Sequence, residues 1–92
     1  MGGHNMYKLI WSKQAIKDWK QLERSEYVGK ARELLCIIKD EPYKEPPRVK
    51  TLSGNLSGLY SRRINQQHRL VYEIDEQNKI AKIVSMWIHY HV

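Results

Sequence analysis

The sequence lacks most of the features that stabilise a small protein without a large core. It has one cysteine, Cys36, so an internal disulfide is excluded, and the position of Cys36 in a helical pattern predicts that it packs in the core. No apolar stretch approaches the roughly 18 residues that a membrane span needs. The first five residues also lack the apolar segment of a signal peptide. We therefore expect a protein of a reducing compartment that is held together by packing alone.

Acidic residues are also scarce. The 92 residues, enough for one domain, include 16 Lys and Arg but 10 Asp and Glu, which gives a net charge of +6. Between residues 42 and 72 there are six basic residues and one acidic residue, so five of these six net charges lie in that stretch. Such a concentration favours a polyanionic partner, most simply single-stranded nucleic acid, with an acidic protein as the alternative.

The order of hydrophobic patterns predicts the fold class. We expect residues 1–5 to be a disordered extension or an expression remnant, and residues 6–92 to form a single domain. A strand at residues 6–11 precedes a helix capped by Ser12, and Ser25 is expected to cap a second helix with apolar residues at helical spacing. The prolines at 42, 46 and 47 then predict an extended loop.

Three strands complete the predicted fold. Two Ser-Gly steps, at 53–54 and 57–58, indicate turns, and alternating residues predict strands near 59–64, 68–74 and 79–90. The prediction is a compact α+β fold in the order β-α-α-β-β-β. Its sheet is twisted and mainly antiparallel, and a two-helix hairpin covers one face.

Arginines on two neighbouring strands are the first candidates for chemistry. Arg62 and Arg63 lie on one arm of a predicted hairpin and Arg69 on the other. Alternation directs Arg62 and Arg63 to opposite faces, so at most one of them shares a face with Arg69. A guanidinium grips phosphate with two parallel hydrogen bonds, so these residues are either a phosphate clamp or ordinary surface arginines.

Polar and aromatic residues provide further candidates. His89 and Tyr90, near the end of the sequence, offer a group that transfers protons near neutral pH and a phenol that orients a substrate; a mobile tail is the alternative. His68 is either an RNA contact or a structural residue of the turn, and Tyr60 is a candidate for stacking on a base. No zinc ligand set, glycine-rich phosphate loop or serine-hydrolase arrangement is present in the sequence, and we expect no metal and no cofactor.

Two strings of residues resemble a known family. Asn55-Leu56-Ser57-Gly58-Leu59-Tyr60-Ser61-Arg62-Arg63-Ile64, followed by His68-Arg69-Leu70-Val71-Tyr72, closely resembles the YoeB/Txe toxins of bacterial toxin–antitoxin modules, within the RelE/ParE superfamily. The resemblance extends over nearly the whole sequence from Met6 and includes the terminal His-Tyr pair.

The resemblance implies a ribosome-dependent endoribonuclease of the bacterial cytoplasm. Such a toxin cuts messenger RNA in the ribosomal A site without a metal and is neutralised by a cognate antitoxin. It implies that Arg69 stabilises the charge on the reacting phosphate, that His89 protonates the leaving oxygen and that Tyr90 orients the substrate. Arg48, Arg62, Arg63, His68 and Tyr60 are the expected RNA contacts.

One position departs from the family pattern. These toxins commonly carry a glutamate base in the loop before the Ser-Arg-Arg strand, and Lys50 occupies that place here. Lys50 either accepts the proton itself or stabilises negative charge, and Glu45 is an alternative base if the loop is shifted. Two other functions remain open. One is a ParE-like poison of DNA gyrase, and the other is a catalytically weak domain that binds RNA or an antitoxin.

Overall fold

Two helices and five strands make up the part of the protein that the structure, a computed structural model, describes, residues 6–88. The elements in chain order are β1 (Lys8–Trp11), α1 (Lys13–Glu23), α2 (Val28–Asp40), β2 (Lys50–Thr51), β3 (Tyr60–Arg63), β4 (Arg69–Asp75) and β5 (Ile80–Ile88), with a short 3₁₀ helix at Gly54–Leu56. Within these residues no helix is long and apolar enough to cross a membrane.

The strands form one mixed sheet in the order β1-β5-β4-β3-β2. The pairs β2–β3, β3–β4 and β4–β5 are antiparallel, whereas β1 runs parallel to β5 with Lys8 opposite Ile80. This confirms the predicted α+β fold with a mainly antiparallel sheet. The two-residue strand β2 was not predicted, and it lies where the sequence indicated an extended loop.

Helix starts follow the prediction at one helix and not at the other. The hydroxyl of Ser12 accepts a hydrogen bond from the Ala15 amide at 2.9 Å, as an N-cap does, and donates one to the Val84 carbonyl of β5 at 2.7 Å. The prediction that Ser25 caps α2 was wrong, because Tyr27 is the N-cap residue and has no side-chain capping bond. Ser25 instead accepts from the Tyr27 amide and stabilises the turn between the helices.

Apolar residues from both helices and from the sheet form a single core. Its fully buried members are Ala15, Leu22, Ala31, Leu34, Ile38, Leu70, Tyr72, Ala81, Ile83 and Met86. Cys36, however, is exposed, and the prediction that it packs in the core was wrong. At 100° per residue, Cys36 lies about 150° around α2 from the centre of the buried stripe.

Glycine conformations explain the turns that lead into β3. Gly54 and Gly58 have φ values of +64° and +94°, in the left-handed region that side chains with a Cβ disfavour. Gly54 opens the short 3₁₀ helix, and the Leu59 carbonyl then accepts from the Leu52 amide at 3.0 Å. The two predicted Ser-Gly turns are therefore present, and together they return the chain beside β2.

Candidate active site

The register of three strands brings the sequence candidates together. Lys50 on β2 lies opposite Ser61 on β3, and Arg63 on β3 lies opposite Arg69 on β4. Residues directly opposite one another share a face of the sheet, and so do residues two apart on a strand. These four side chains therefore belong to one face, opposite to the face that carries Leu70.

A basic cleft of about 570 Å³ lies on this face. Its lining residues are Lys30, Pro47, Arg48, Lys50, Ser61, Arg63, Ile64 and Arg69. Five of them are basic, and none of the lining residues in the described part of the chain is acidic. A cluster of basic side chains without neighbouring carboxylates creates a positive potential that attracts phosphate groups. We refer to this cavity as the basic cleft.

Arg69 occupies a half-buried position in the basic cleft. Its Nη1 donates a hydrogen bond to the Ser61 hydroxyl at 3.2 Å, and Ser61 itself is fully buried. A hydrogen bond to a fixed partner orients a guanidinium, whose planar fork then recognises a phosphate in one geometry. Arg63, directly across from Arg69, is exposed. The structure thus brings Arg63, rather than Arg62, beside Arg69, in agreement with the alternation predicted for the two neighbouring arginines.

Arg62 lies on the opposite side of β3 and is 0% exposed. Its guanidinium donates to backbone carbonyls of the loop before β2 and to the Tyr72 hydroxyl. The prediction that Arg62 binds RNA is therefore corrected, because no part of its side chain reaches the surface.

Tyr60 also lies outside the basic cleft. It is opposite Tyr72 on the core face, and its ring packs against Tyr72 and Tyr43 with centroid distances of 5.6 and 5.4 Å. The structure does not bring Tyr60 to the cations with which it was predicted to bind RNA.

Glu45 and His68 are near the basic cleft without lining it. The Glu45 carboxylate accepts a hydrogen bond from the Val49 amide at 2.8 Å, across the neighbouring loop. The structure therefore does not place Glu45 as the base. The His68 ring stacks on Trp87 with a centroid distance of 3.8 Å. Its predicted contact with RNA stays a prediction.

Lys30 is a member of the basic cleft that the sequence analysis missed. It belongs to α2, 33 positions before Arg63 in the sequence, and no local pattern links a helix residue to these strands. Ser61 was also missed as a partner of Arg69. Its signal was present, because Ser61 and Arg63 alternate to the same face of a predicted strand.

The strand that leads to the predicted acid is anchored by a buried carboxylate. Asp18 on α1 is 3% exposed, and its Oδ2 accepts hydrogen bonds from the backbone amides of Met86 and Trp87 at 2.8 and 3.1 Å. His89 and Tyr90 follow in the sequence, and both lie outside the described residues. Their predicted roles as acid and orienting group stay predictions.

A second cluster of polar side chains lies at the far end of β4, around Glu76. The Glu76 carboxylate accepts hydrogen bonds from the hydroxyls of Tyr7 and Tyr43 and from the ammonium of Lys79, with which it also forms a salt bridge of 3.0 Å. Hydrogen bonds from Tyr43, Lys79 and Tyr7 hold the pKa of Glu76 at about 2. Burial and the Glu76 carboxylate raise the pKa of Tyr43. We refer to these residues as the Glu76 cluster.

Comparison with known proteins identifies the family. Residues 11–90 match the family model of the YoeB-like toxins of bacterial type II toxin–antitoxin systems. The chain belongs to this family. The YoeB toxin of Escherichia coli K12 is 34% identical over 86 residues, which are 90% of this chain and 99% of that toxin.

Solved structures of YoeB proteins have the same fold. A YoeB/ParE toxin from Agrobacterium tumefaciens matches with a TM-score of 0.82 and 27% identity, over 90% of this chain and 99% of that one. The YoeB–YefM complex from Staphylococcus aureus matches with a TM-score of 0.76 and 37% identity, over 91% and 98%. These findings confirm the predicted family, fold and general function, that of a ribonuclease toxin of a toxin–antitoxin system.

Proposed function

We propose that this toxin is a metal-independent endoribonuclease that cuts messenger RNA in the A site of the ribosome. The observation that carries the proposal is the basic cleft, in which Arg69 is oriented by Ser61 and faces Arg63 across two strands. A cleft of about 570 Å³ admits a phosphate with its neighbouring sugars, and its basic lining suits the negative charge of an RNA backbone.

The proposed reaction transfers a phosphoryl group within the RNA. The ribose 2′-oxygen attacks the adjacent phosphorus and gives its proton to solvent water, while the bond from phosphorus to the 5′-oxygen breaks. The products are a 2′,3′-cyclic phosphate and a 5′-hydroxyl. Arg69 stabilises the charge that builds on the phosphate, His89 protonates the departing 5′-oxygen, and Tyr90 orients the substrate. Arg63 and Arg48 bind the RNA backbone beside the reacting phosphate.

Lys50 takes the place of the expected carboxylate base. It lies in the basic cleft one row from the Arg63–Arg69 pair, whereas Glu45 is hydrogen-bonded to the Val49 amide outside it. We propose that Lys50 contributes positive charge to the transition state, so that the site works chiefly by electrostatic stabilisation.

Two macromolecular partners follow from this function. A cognate antitoxin neutralises the toxin, as the S. aureus relative in complex with YefM suggests, and an acidic segment of it would complement the basic cleft. The ribosome presents the message, which explains how so small a protein handles a long substrate. The proposed location of both encounters is the bacterial cytoplasm, with no membrane and no cofactor.

Mapping the ends of cleaved messages tests the proposal. Purified toxin is added to a reconstituted translation system, and the RNA termini are identified by sequencing and by their susceptibility to a cyclic phosphodiesterase. We expect cuts at ribosome-occupied codons that leave 2′,3′-cyclic phosphates. Arg69→Ala is expected to lower the cleavage rate by about 10²- to 10³-fold. Intact messages with ribosome-bound toxin would instead indicate a binding domain, and DNA damage after expression would indicate a gyrase poison.

A further inference from the structure

Arg62 is a fully buried cation whose partners are neutral. Its Nη1 donates to the carbonyl of Pro47 at 2.8 Å, and its Nη2 donates to the carbonyls of Lys44 at 2.8 Å and Pro42 at 3.1 Å. Its Nε donates to the Tyr72 hydroxyl at 3.1 Å. Within residues 6–88 it forms no salt bridge. A buried charge is costly unless its hydrogen bonds are satisfied, so these four oxygens stabilise the buried guanidinium. The guanidinium in turn fixes the position of the loop that supplies the three carbonyls.

The loop that supplies these carbonyls has few donors of its own. Prolines at 42, 46 and 47 lack an amide hydrogen, and between residues 42 and 47 the one backbone donor bonded to backbone is the Lys44 amide, at 3.0 Å from the Glu41 carbonyl. The Tyr72 hydroxyl donates to the Pro42 carbonyl at 2.6 Å. Burial raises the pKa of Tyr72, against the opposing charge of Arg62, so the phenol is a neutral donor near pH 7. The conformation of this loop therefore depends on side chains from β3 and β4.

The same loop leads directly into the basic cleft. Pro47 lines the cleft while its carbonyl accepts from Arg62, and Arg48 and Lys50, the next lining residues, follow it in the chain. On the other face of β3, Arg63 contributes to the cleft directly. Two consecutive arginines therefore contribute to one cavity from opposite faces of β3: Arg63 lines it, and Arg62 binds the carbonyl of Pro47, another lining residue.

We propose that Arg62 is a positioning residue for RNA cleavage. It fixes the segment 42–47 so that Arg48 and Lys50 face the substrate, and it affects the reaction only through those two side chains. The effect on cleavage rests on the proposed function, whereas the effect on the loop does not.

The contacts require an arginine and not merely a positive charge. The planar fork of a guanidinium reaches three carbonyls and a hydroxyl in different directions, whereas the single ammonium of lysine has three donors on one nitrogen. Arg62→Lys therefore retains the charge and loses the fork. We expect it to behave as a loss of the loop anchor.

A double-mutant cycle in the reconstituted translation system tests the route of the effect. Arg62→Lys should raise the toxin concentration that gives half-maximal cleavage by about tenfold, close to the effect of the combined Arg48→Ala and Lys50→Ala changes. Adding Arg62→Lys to that double variant should have little further effect. Arg63→Ala is the control, because Arg63 belongs to β3 and not to the loop. The fold-changes that Arg63→Ala and Arg62→Lys cause in this concentration should multiply in the double variant. Multiplicative effects with Arg48 and Lys50 would overturn the proposal.

Hydrogen exchange on the intact protein tests the structural half alone. In Arg62→Lys the Val49 amide should exchange at least about tenfold faster, while amides of the β3–β4 pair keep their protection. Unchanged exchange in the loop, or equal acceleration across the sheet, would refute the proposal even if the wild type cleaved no RNA.

A milder variant keeps the test informative if Arg62→Lys does not fold. Tyr72→Phe removes one acceptor of Arg62 and one donor to Pro42 while it retains the buried ring. It should show the same changes in cleavage and loop exchange at a smaller size, and the absence of both would also count against the proposal.

Discussion

The charged side chains at the two ends of strand β4 differ in whether the chain itself neutralises them. At its start, Arg69 lies in the basic cleft, where the described lining residues include five cations and no acid. Just beyond its other end, the Glu76 carboxylate accepts hydrogen bonds from Tyr7, Tyr43 and Lys79, so that its charge is satisfied within the chain. The charge of Glu76 therefore stabilises the folded chain, whereas the positive charges of the basic cleft are available to bind a partner.

This difference indicates that the basic cleft lowers the stability of the folded protein. Like charges gathered on one face repel each other in the folded state and are relieved when a polyanion binds. The rigid surroundings of the basic cleft, in particular the buried Arg62 and Ser61, keep those charges in place. Substitutions in the basic cleft should therefore change activity more than stability, and substitutions in the Glu76 cluster should do the reverse.

The largest effect that separates the two ends is expected from Lys50→Glu. If Lys50 supplies positive charge, an acid at this position lowers the cleavage rate at least about tenfold below that of Lys50→Ala. Lys50→Arg, the control that retains the charge, should remain close to the wild type. Cleavage rates in the translation system decide the matter, and a Lys50→Glu variant as active as the wild type would show that the position does not need a positive charge.

A smaller effect is expected at the rim of the basic cleft, where Lys30 reaches in from α2. Lys30→Ala should weaken binding to ribosomes carrying message a few-fold and reduce the slope of log affinity against log salt by about one, because one phosphate contact is lost. Lys39→Ala is the matched control, since Lys39 is an exposed lysine of the same helix that does not line the cleft. Equal salt slopes for the two variants would remove Lys30 from the binding surface.

The smallest effect concerns stability at acid pH. The pKa of Glu76 is lowered from 4.5 to about 2, so its contribution to stability is complete above pH 4.5 and is lost as the pH falls towards 2. Glu76→Gln should flatten the dependence of the unfolding midpoint on pH in this window and leave cleavage unchanged. Hydrogen bonds from Asn78 also lower the pKa of Asp75, so a residual slope should remain. Glu73→Gln is the control, and an identical pH profile for Glu76→Gln and the wild type would contradict the prediction.

The sequence predicted most of the fold because its hydrophobic periods are long and regular. The missing element, β2, has two exposed residues, Lys50 and Thr51, and no period to recognise. It exists because the turns at Gly54 and Gly58 return the chain as β3 alongside Lys50 and Thr51, a pairing that depends on tertiary structure.

The site was predictable to the extent that it follows strand alternation. Strand alternation predicts that either Arg62 or Arg63 shares a face with Arg69. It does not decide which of the two arginines does so. The core residue Leu70 opposite Arg62 was the available signal for its burial. Lys30 was out of reach, because its position depends on how α2 packs against the sheet.

The parallel pairing of β1 with β5 has a consequence for the order of folding. Lys8 on β1 lies opposite Ile80 on β5, 72 positions later in the sequence, and β5 lies between β1 and β4 in the sheet. Contacts between such distant residues form slowly, whereas β4 and β5 are joined by a short turn. We therefore expect β1 to join the sheet after the antiparallel strands have paired.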